Sequence, residues 1–310
     1  MTQVQSKPAL GRASDGEDAR VLALFGPTSV GKTGVVLEVA RALREQGLEP
    51  IAVNCDAIQI YQDLTVISGA AGSAERGILE HRLLGEVSVE EEMSAGRYAE
   101  MSHREIDGLL EAGKTPIVVG GTGLWLRAAL CDLDLQAPVP KRVRGQVEAE
   151  MEHVGSVVLH RELPAHLSRH VHPNDRNRVA RWTALVRSGI EPNPDSRGLW
   201  TAHTRHPTRL VGLIADRSEI SDRIDGRVTA MAEDASQEAR ALLARPVSRT
   251  AAAAIGIDGF ARGDLDAVRA EHRSYAKRQV TWMKKLPGVE IIDRTGLTDR
   301  ETAARVTADA

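Results

Sequence analysis

The sequence is poor in aromatic residues, in cysteine and in excess charge of either sign, and each shortage excludes something. Phe, Trp and Tyr make up only 3% of the 310 residues, so a core must be built mainly from aliphatic side chains. The two cysteines, Cys55 and Cys131, have no metal-ligand spacing and exclude a disulfide framework, which predicts a reducing, cytoplasmic compartment. A net charge of −3 argues against a protein that coats nucleic acid by bulk charge, but it leaves room for a local basic groove.

Long apolar runs are also missing. No stretch is apolar for long enough to cross a membrane, so we expect no membrane attachment. Residues 1–19 are polar and lack the apolar segment of a signal peptide, and we expect them to form a disordered leader. The remaining length suffices for one large domain or two modest ones.

Short apolar runs alternate with helical patterns through most of the chain. Such runs are typical of strands buried on both faces of a parallel sheet, and the alternation predicts right-handed crossovers. The sequence therefore predicts an α/β fold, a P-loop NTPase-like parallel sheet flanked by helices. The predicted strands are 21–25, 50–54, 115–119, 210–214 and 289–293.

The pattern changes after Leu135. The segment Ala137–Pro140 resembles a linker, and residues 141–189 are helical in pattern, rich in Arg, Glu and His, and without a buried-strand run. We therefore expect a discontinuous catalytic core at 20–135 and 209–300, with a helical insertion at 136–208.

A phosphate-binding motif follows the first predicted strand. The segment reads Gly-Pro-Thr-Ser-Val-Gly-Lys-Thr and matches the P-loop pattern, between a buried strand and a helix. Its glycines allow a tight turn that points N–H groups at phosphate oxygens, and the helix dipole adds positive charge. The lysine supplies a point charge, and the threonine hydroxyl a ligand for Mg²⁺. A P-loop binds a diphosphate or triphosphate, and the residues predicted to do so are Gly26, Pro27, Thr28, Ser29, Val30, Gly31, Lys32 and Thr33.

The motif alone leaves open whether phosphate is transferred, hydrolysed or lost as a leaving group. No Asn-Lys-x-Asp motif is present, which argues against a guanine-recognising GTPase. The strand 115–119 runs into Gly-Gly-Thr rather than into the Asp that usually holds magnesium in a kinase or ATPase.

Several motifs in a fixed order resemble the tRNA dimethylallyltransferases, also called tRNA isopentenyltransferases or the IPP transferase family. The resemblance spans roughly residues 20 to 295, and the ordered set is more specific than any one motif. The motifs are 26–33, 54–61, 119–125, 172–181, 216–228, 254–257 and 275–282.

The resemblance implies a reaction and its participants. Dimethylallyl diphosphate would be the donor, Mg²⁺ the cofactor, and the acceptor the N6 amine of the tRNA adenosine just 3′ of the anticodon. Asp56 matches the general base, Thr122 would orient the attack, and Lys32, Thr33 and Arg227 would stabilise the departing diphosphate. Gln59 could hydrogen-bond the edge of adenine.

Further positions match family residues that meet tRNA, and a basic helix with Lys277, Arg278, Lys284 and Lys285 could also attract RNA. The resemblance implies tRNA contacts at Asp56, Ala57, Ile58, Gln59, Arg144, Asn177, Arg178, Val179, Ala180 and Arg181.

Plainer interpretations stand beside these roles. Asp56 could cap a turn or bind magnesium, and Arg178 and Arg181, three residues apart on one helix face, could be solvated or salt-bridged. The chain also departs from the family pattern: Ala57 replaces a usual Ser, segment 62–72 has no lysine, and residues 257–258 read Ile-Asp.

Two rival functions remain at this stage. One is an adenylate dimethylallyltransferase acting on free AMP, ADP or ATP, and the other is a P-loop kinase or NTPase. The arginine-bearing insertion and the basic helix favour tRNA, because a free nucleotide needs neither. We expect a monomer.

Overall fold

The computed structural model describes residues 10, 13, 18–133, 135, 138–194 and 199–308. The chain divides into two compact units: Met1–Asp132 with Leu199–Ala310, and Leu133–Gly198. The helices are α1 Lys32–Glu45, α2 Thr65–Ser68, α3 Ser73–Ile78, α4 Ala95–Glu111, α5 Gly123–Leu130, α6 Lys141–Val154, α7 Ser156–Glu162, α8 Ala165–Ser168, α9 Arg176–Arg187, α10 Arg217–Leu243, α11 Ile257–Arg262, α12 Leu265–Met283 and α13 Asp299–Thr307.

The first unit is built on a six-stranded parallel sheet with strand order β3-β2-β4-β1-β5-β6. Every residue of β1 and β2 is buried, as apolar runs covered on both faces require. The predicted fold class is confirmed, and only the short β3 was not foreseen. The strands are β1 Val21–Phe25, β2 Pro50–Asn54, β3 His81–Arg82, β4 Thr115–Gly120, β5 Thr208–Ile214 and β6 Glu290–Asp293.

An aliphatic core joins the sheet to α1 and α13. Leu22 and Leu24 of β1 pack with Val35 and Val39 of α1 in this cluster. Its composition follows from the scarcity of aromatic residues.

Most of the expected disordered leader, 1–19, lies outside the described residues. Of its described positions 10, 13, 18 and 19, three are buried in this same core cluster: Leu10, Ala13 and Ala19 are 7%, 6% and 9% exposed. A disordered leader would leave such apolar side chains in water, so that expectation does not extend to these three residues.

The second unit is helical, with α6 to α9 packed around a core of its own. Val147, Leu159, Val179 and Leu185 are fully buried there. No helix in the described ranges is long and apolar enough to span a bilayer.

The unit boundaries differ from the expected limits of 136 and 208. The second unit begins at Leu133, and the first resumes at Leu199. The segment before β5 belongs to the first unit because Arg205 pairs with Asp107 at 2.9 Å and with Asp132 at 3.1 Å.

Candidate active site at the carboxyl edge of the sheet

A cavity of about 620 Å³ lies where β1, β2 and β4 end. Ligands of open parallel sheets bind at this edge, and the volume falls within the usual range for small-molecule sites. Three predicted motifs contribute to its lining: the P-loop, the Asp56 turn and the Thr122 turn.

The P-loop adopts the tight turn that its sequence predicts. Ser29 and Gly31 have positive φ angles of 61° and 91°, and α1 begins immediately afterwards at Lys32. A Cβ on Gly31 would stand 2.3 Å from the Arg294 guanidinium, so only glycine fits there. The Lys32 ammonium donates to the carbonyls of Gly26 and Pro27, each at 2.9 Å.

The pKa of the Lys32 ammonium is shifted from its ordinary value. Burial lowers its pKa to about 8, Asp56 opposes the shift, and the nearby Arg227 adds to it. An anion bound in the loop would restore the charged form, because opposite charge favours ionisation.

Three arginines surround the loop. Arg227 donates to the Thr28 hydroxyl at 3.3 Å, and burial lowers the pKa of its guanidinium. Arg223 donates to the Val30 carbonyl at 3.1 Å, and the buried Arg294 donates to the same carbonyl at 2.9 Å. Arg227, which the sequence predicts as a diphosphate contact, lies beside the loop, as does Arg294, which the sequence did not predict.

Asp56 sits in the turn after β2 and lines the cavity. Its Oδ1 accepts the N–H groups of Ile58 at 2.9 Å and Gln59 at 3.4 Å, while its own N–H donates to Asn54 Oδ1 at 3.2 Å. The turn-capping role is therefore present, and both of these bonds to the carboxylate end on Oδ1. Capping fixes the orientation of the carboxylate toward the cavity it lines.

Thr122 lies in the turn after β4 and contacts the Asp56 turn. Its hydroxyl accepts the Ala57 N–H at 3.2 Å and lies 3.5 Å from the Tyr275 hydroxyl. Burial, and then the charge of Asp56, raise the pKa of Tyr275 to about 12. The Tyr275 hydroxyl is therefore neutral near pH 7; Tyr275 belongs to the motif 275–282, but the motif did not predict its contact with Thr122.

Gln59 is held by the segment around α2. Its amide donates to the carbonyls of Ser68 and Gly69, at 3.2 and 3.3 Å. This short helix is capped by Glu238 of α10, which accepts three consecutive N–H groups at 2.8 to 3.1 Å. Gln59 therefore lines the cavity with its donor already engaged, and the amide oxygen is the part available to a ligand.

An apolar wall completes the cavity. It is formed by the side chains of Ile58, Ile67, Met93, Val119, Trp125, Ala253, Ala254 and Ile255. The Trp125 ring stacks on the ring of Tyr98, with the ring centroids 4.2 Å apart. The cavity thus combines a cationic loop that could hold phosphate, a carboxylate and a surface that suits a hydrocarbon.

The predicted RNA contacts of the insertion lie on α6 and α9. Val179 is fully buried in the insertion core, so its side chain cannot meet RNA, and Ala180 packs against the same core. Burial, and then the charge of Arg144, lower the pKa of Arg181, so two cations lie close together. Arg178 faces Asp175 at 3.8 Å and is 54% exposed; Asn177 is exposed as well.

The four basic residues at the end of α12 are exposed: Lys277, Arg278, Lys284 and Lys285. Arg278 lies 5.5 Å from the centre of the Tyr275 ring, at the edge of the cavity lining.

Comparisons with known proteins agree with one another. The profile of the family described as IPP transferase matches residues 59–286. A tRNA dimethylallyltransferase of Anaeromyxobacter sp. (strain Fw109-5) is 35% identical over 292 residues, covering 88% of this chain and 94% of the relative. One from Thermobifida fusca is 33% identical over 301 residues, covering 91% and 93%.

Solved structures resemble the fold. The tRNA isopentenylpyrophosphate transferase of Bacillus halodurans superposes with a TM-score of 0.66 at 24% identity, covering 94% of this chain and 95% of its own. A eukaryotic dimethylallyltransferase acting on tRNA gives a TM-score of 0.71 at 22% identity, covering 90% and 74%.

Proposed function

The chain belongs to the IPP transferase family, and we propose that it transfers a dimethylallyl group from dimethylallyl diphosphate to the N6 amine of an adenosine next to the anticodon of tRNA. The observation that carries the proposal is the lining of one cavity by a P-loop, by Asp56 and by an apolar wall. These three features suit a diphosphate, an amine that must lose a proton and a five-carbon hydrocarbon. The chain is therefore an enzyme, a tRNA prenyltransferase.

The P-loop would hold the diphosphate of the prenyl donor. The hydroxyl of Ser29 is buried and has no hydrogen-bond partner among the described residues, which suits an incoming phosphate oxygen. Lys32 and Arg227 add positive charge, and the N-terminus of α1 adds its dipole. Thr28 contributes through its contact with Arg227 rather than through its N–H, which donates to Gln279 at 2.7 Å.

Thr33 is our proposed protein ligand for Mg²⁺. Thr33 lines the cavity next to Lys32, and its side chain offers one hydroxyl oxygen. This fits an ion held mainly by diphosphate oxygens and water, as Mg²⁺ usually is. When bound, Mg²⁺ would neutralise charge that develops on the diphosphate.

The reaction forms a bond from N6 of adenine to C1 of the dimethylallyl group while the bond from C1 to the diphosphate oxygen breaks. The bonding electrons leave with the diphosphate, and the proton from N6 passes to the Asp56 carboxylate. General-base help of this kind is typically worth about 10²- to 10⁴-fold in rate. Thr122, whose hydroxyl accepts the Ala57 N–H, would orient the amine.

Recognition of tRNA requires contacts outside the cavity. An adenosine in a loop must unstack to react, at a cost of about a few kcal/mol, so phosphate contacts elsewhere must offset it. We assign this role to Arg144, Arg178 and Arg181 of the insertion and to the exposed basic end of α12. We further propose that the enzyme acts as a monomer in the cytoplasm, where its tRNA substrate is available.

A product assay tests the proposal. Purified protein, dimethylallyl diphosphate and Mg²⁺ are incubated in parallel with unmodified tRNA and with AMP, and digested nucleosides are analysed by mass spectrometry. We expect N6-dimethylallyl adenosine from tRNA and none from AMP. Product from AMP alone would assign the acceptor to free nucleotides, and no product from folded, donor-binding protein would refute prenyl transfer.

A further inference from the structure

A buried amide joins the two halves of the candidate active site. Gln279 lies on α12 and is 5% exposed. Its Oε1 accepts the N–H of Thr28 at 2.7 Å, and its Nε2 donates to the carbonyl of Gly121 at 2.7 Å. The first bond reaches the P-loop, and the second reaches the turn that carries Thr122.

The Gly121 turn is shaped to receive α12. A Cβ on Gly121 would lie 2.3 Å from Gln279 Nε2, and a Cβ on Gly123 would lie 2.1 Å from the Trp282 ring. Between them, Thr122 lies 3.5 Å from the Tyr275 hydroxyl. Three consecutive residues, 121 to 123, therefore meet three side chains of one helix.

The spacing of these side chains explains how one helix contacts all three residues. Tyr275, Gln279 and Trp282 follow one another at intervals of four and three residues, which places them on one face of α12. Gln279 is the member that also reaches the P-loop. It therefore sets the position of the Thr122 turn relative to the phosphate cradle.

The choice of an amide follows from the two partners. Thr28 presents a donor and Gly121 presents an acceptor, and a glutamine side chain offers one acceptor and two donors. A leucine would leave the partly buried Thr28 N–H and the buried Gly121 carbonyl without these bonds, and a carboxylate would turn negative charge toward the partly negative Gly121 oxygen.

We infer that Gln279 is a positioning residue that fixes the geometry between the donor diphosphate and the attacking amine. The inference rests on the proposed prenyl transfer. An attack at carbon requires the reacting atoms in near contact, and a displacement of about 1 Å can cost about 10²-fold in rate. Gln279 acts through the two turns, since it reaches the backbone of each.

The experiment compares Gln279→Leu with wild type and with Gln237→Leu, the same substitution at an exposed position of α10. Single-turnover rates of tRNA prenylation are measured at saturating donor and tRNA, together with tRNA affinity and thermal unfolding. We expect Gln279→Leu to slow the single-turnover rate about 10²-fold with tRNA affinity within twofold of wild type. Gln237→Leu should match wild type.

Gln279→Glu separates positioning from a merely structural role. Its carboxylate can accept from Thr28, and its acid form can also donate to Gly121. The single-turnover rate of this variant, divided by the wild-type rate at the same pH, should rise as the pH falls. A flat ratio would overturn the inference even if Gln279→Leu failed to fold.

Loss of the positioning role and loss of prenyl transfer itself would give different results. A wild-type rate in folded Gln279→Leu would overturn the role of Gln279 and leave prenyl transfer intact. Absence of prenylated tRNA from wild type would overturn the proposed function itself.

Discussion

Raising the pH above 8 should weaken donor binding, because the P-loop lysine loses its charge there. Burial lowers the pKa of Lys32 to about 8, and Arg227 pushes in the same direction while Asp56 opposes. A diphosphate favours the ammonium form. Binding above pH 8 must therefore take up a proton, and affinity must fall as protons become scarce.

The magnitude follows from the charged fraction. At pH 9 about a tenth of Lys32 is charged in the free enzyme, so the apparent Kd should be roughly tenfold above its value at pH 7. Two neighbouring groups should not change charge between pH 7 and pH 9, because burial raises the pKa of Tyr275 to about 12 and lowers that of His272.

The lowered pKa of Lys32 has the opposite effect on the stability of the free protein, which should rise with pH. The free folded chain loses the Lys32 proton near pH 8, whereas the unfolded chain keeps it to its ordinary value of 10.5. Lys32 therefore opposes folding most strongly below pH 8, and this penalty fades as the pH rises from 8 to 10.5.

Isothermal titration calorimetry of dimethylallyl diphosphate with Mg²⁺, without tRNA, provides the assay. Titrations in two buffers of different ionisation enthalpy should reveal uptake of about 0.9 proton at pH 9 and little at pH 7. Lys32→Arg is the control, because a guanidinium keeps its charge and should bind without this pH dependence. A wild-type Kd that stays constant to pH 9.5 would show that the Lys32 charge does not govern donor binding.

Three further predictions concern the base, the insertion and the α2 segment. Asp56→Ala should lower the single-turnover rate of prenylation about 10²- to 10⁴-fold in folded protein; an unchanged rate would remove the general-base role. Arg178→Ala combined with Arg181→Ala should weaken tRNA binding and reduce the slope of log K against log salt by about 0.7 to 0.9 for each phosphate that the variant no longer neutralises, with donor affinity intact. An unchanged slope in filter binding would favour a solvated helix face. Glu238→Ala removes the cap of α2 and should lower the free energy of unfolding in urea by about 1 kcal/mol, whereas no change would mean that the cap contributes nothing to stability.

Local sequence patterns predicted the frame of the site well. The run 21–25, the P-loop and the helix after it form a contiguous unit, so the positions of Lys32 and Thr33 follow from a single motif. The predicted fold class is confirmed because buried parallel strands produce continuous apolar runs.

Contacts between distant segments could not be predicted from local pattern. Gln279 meets Thr28 across 251 positions, and Arg294 meets Val30 across 264. Each is a polar residue whose environment is decided by tertiary packing, and no local spacing encodes its partner. The sequence offers two partial signals: Gln279 lies inside the motif 275–282, and Arg294 directly follows a strand, at the edge where the site lies.

Motif matching also hides which way a side chain faces. Val179 lies in a segment that is predicted to contact tRNA. Helical geometry nevertheless turns its side chain into the insertion core, while the neighbouring Arg178 remains exposed. The C-terminal limit of the insertion could not be predicted from composition either. The ion pairs of Arg205 tie the segment before β5 to the first unit.

The most direct test of the account measures both products of one reaction. Wild-type enzyme, dimethylallyl diphosphate, Mg²⁺ and unmodified tRNA are mixed, and released diphosphate and N6-dimethylallyl adenosine are quantified in the same samples. The account predicts equal amounts of the two at every time, and no phosphate release when ATP replaces the prenyl donor. Phosphate release from ATP without any prenylated adenosine would contradict it, because the P-loop would then serve nucleotide hydrolysis.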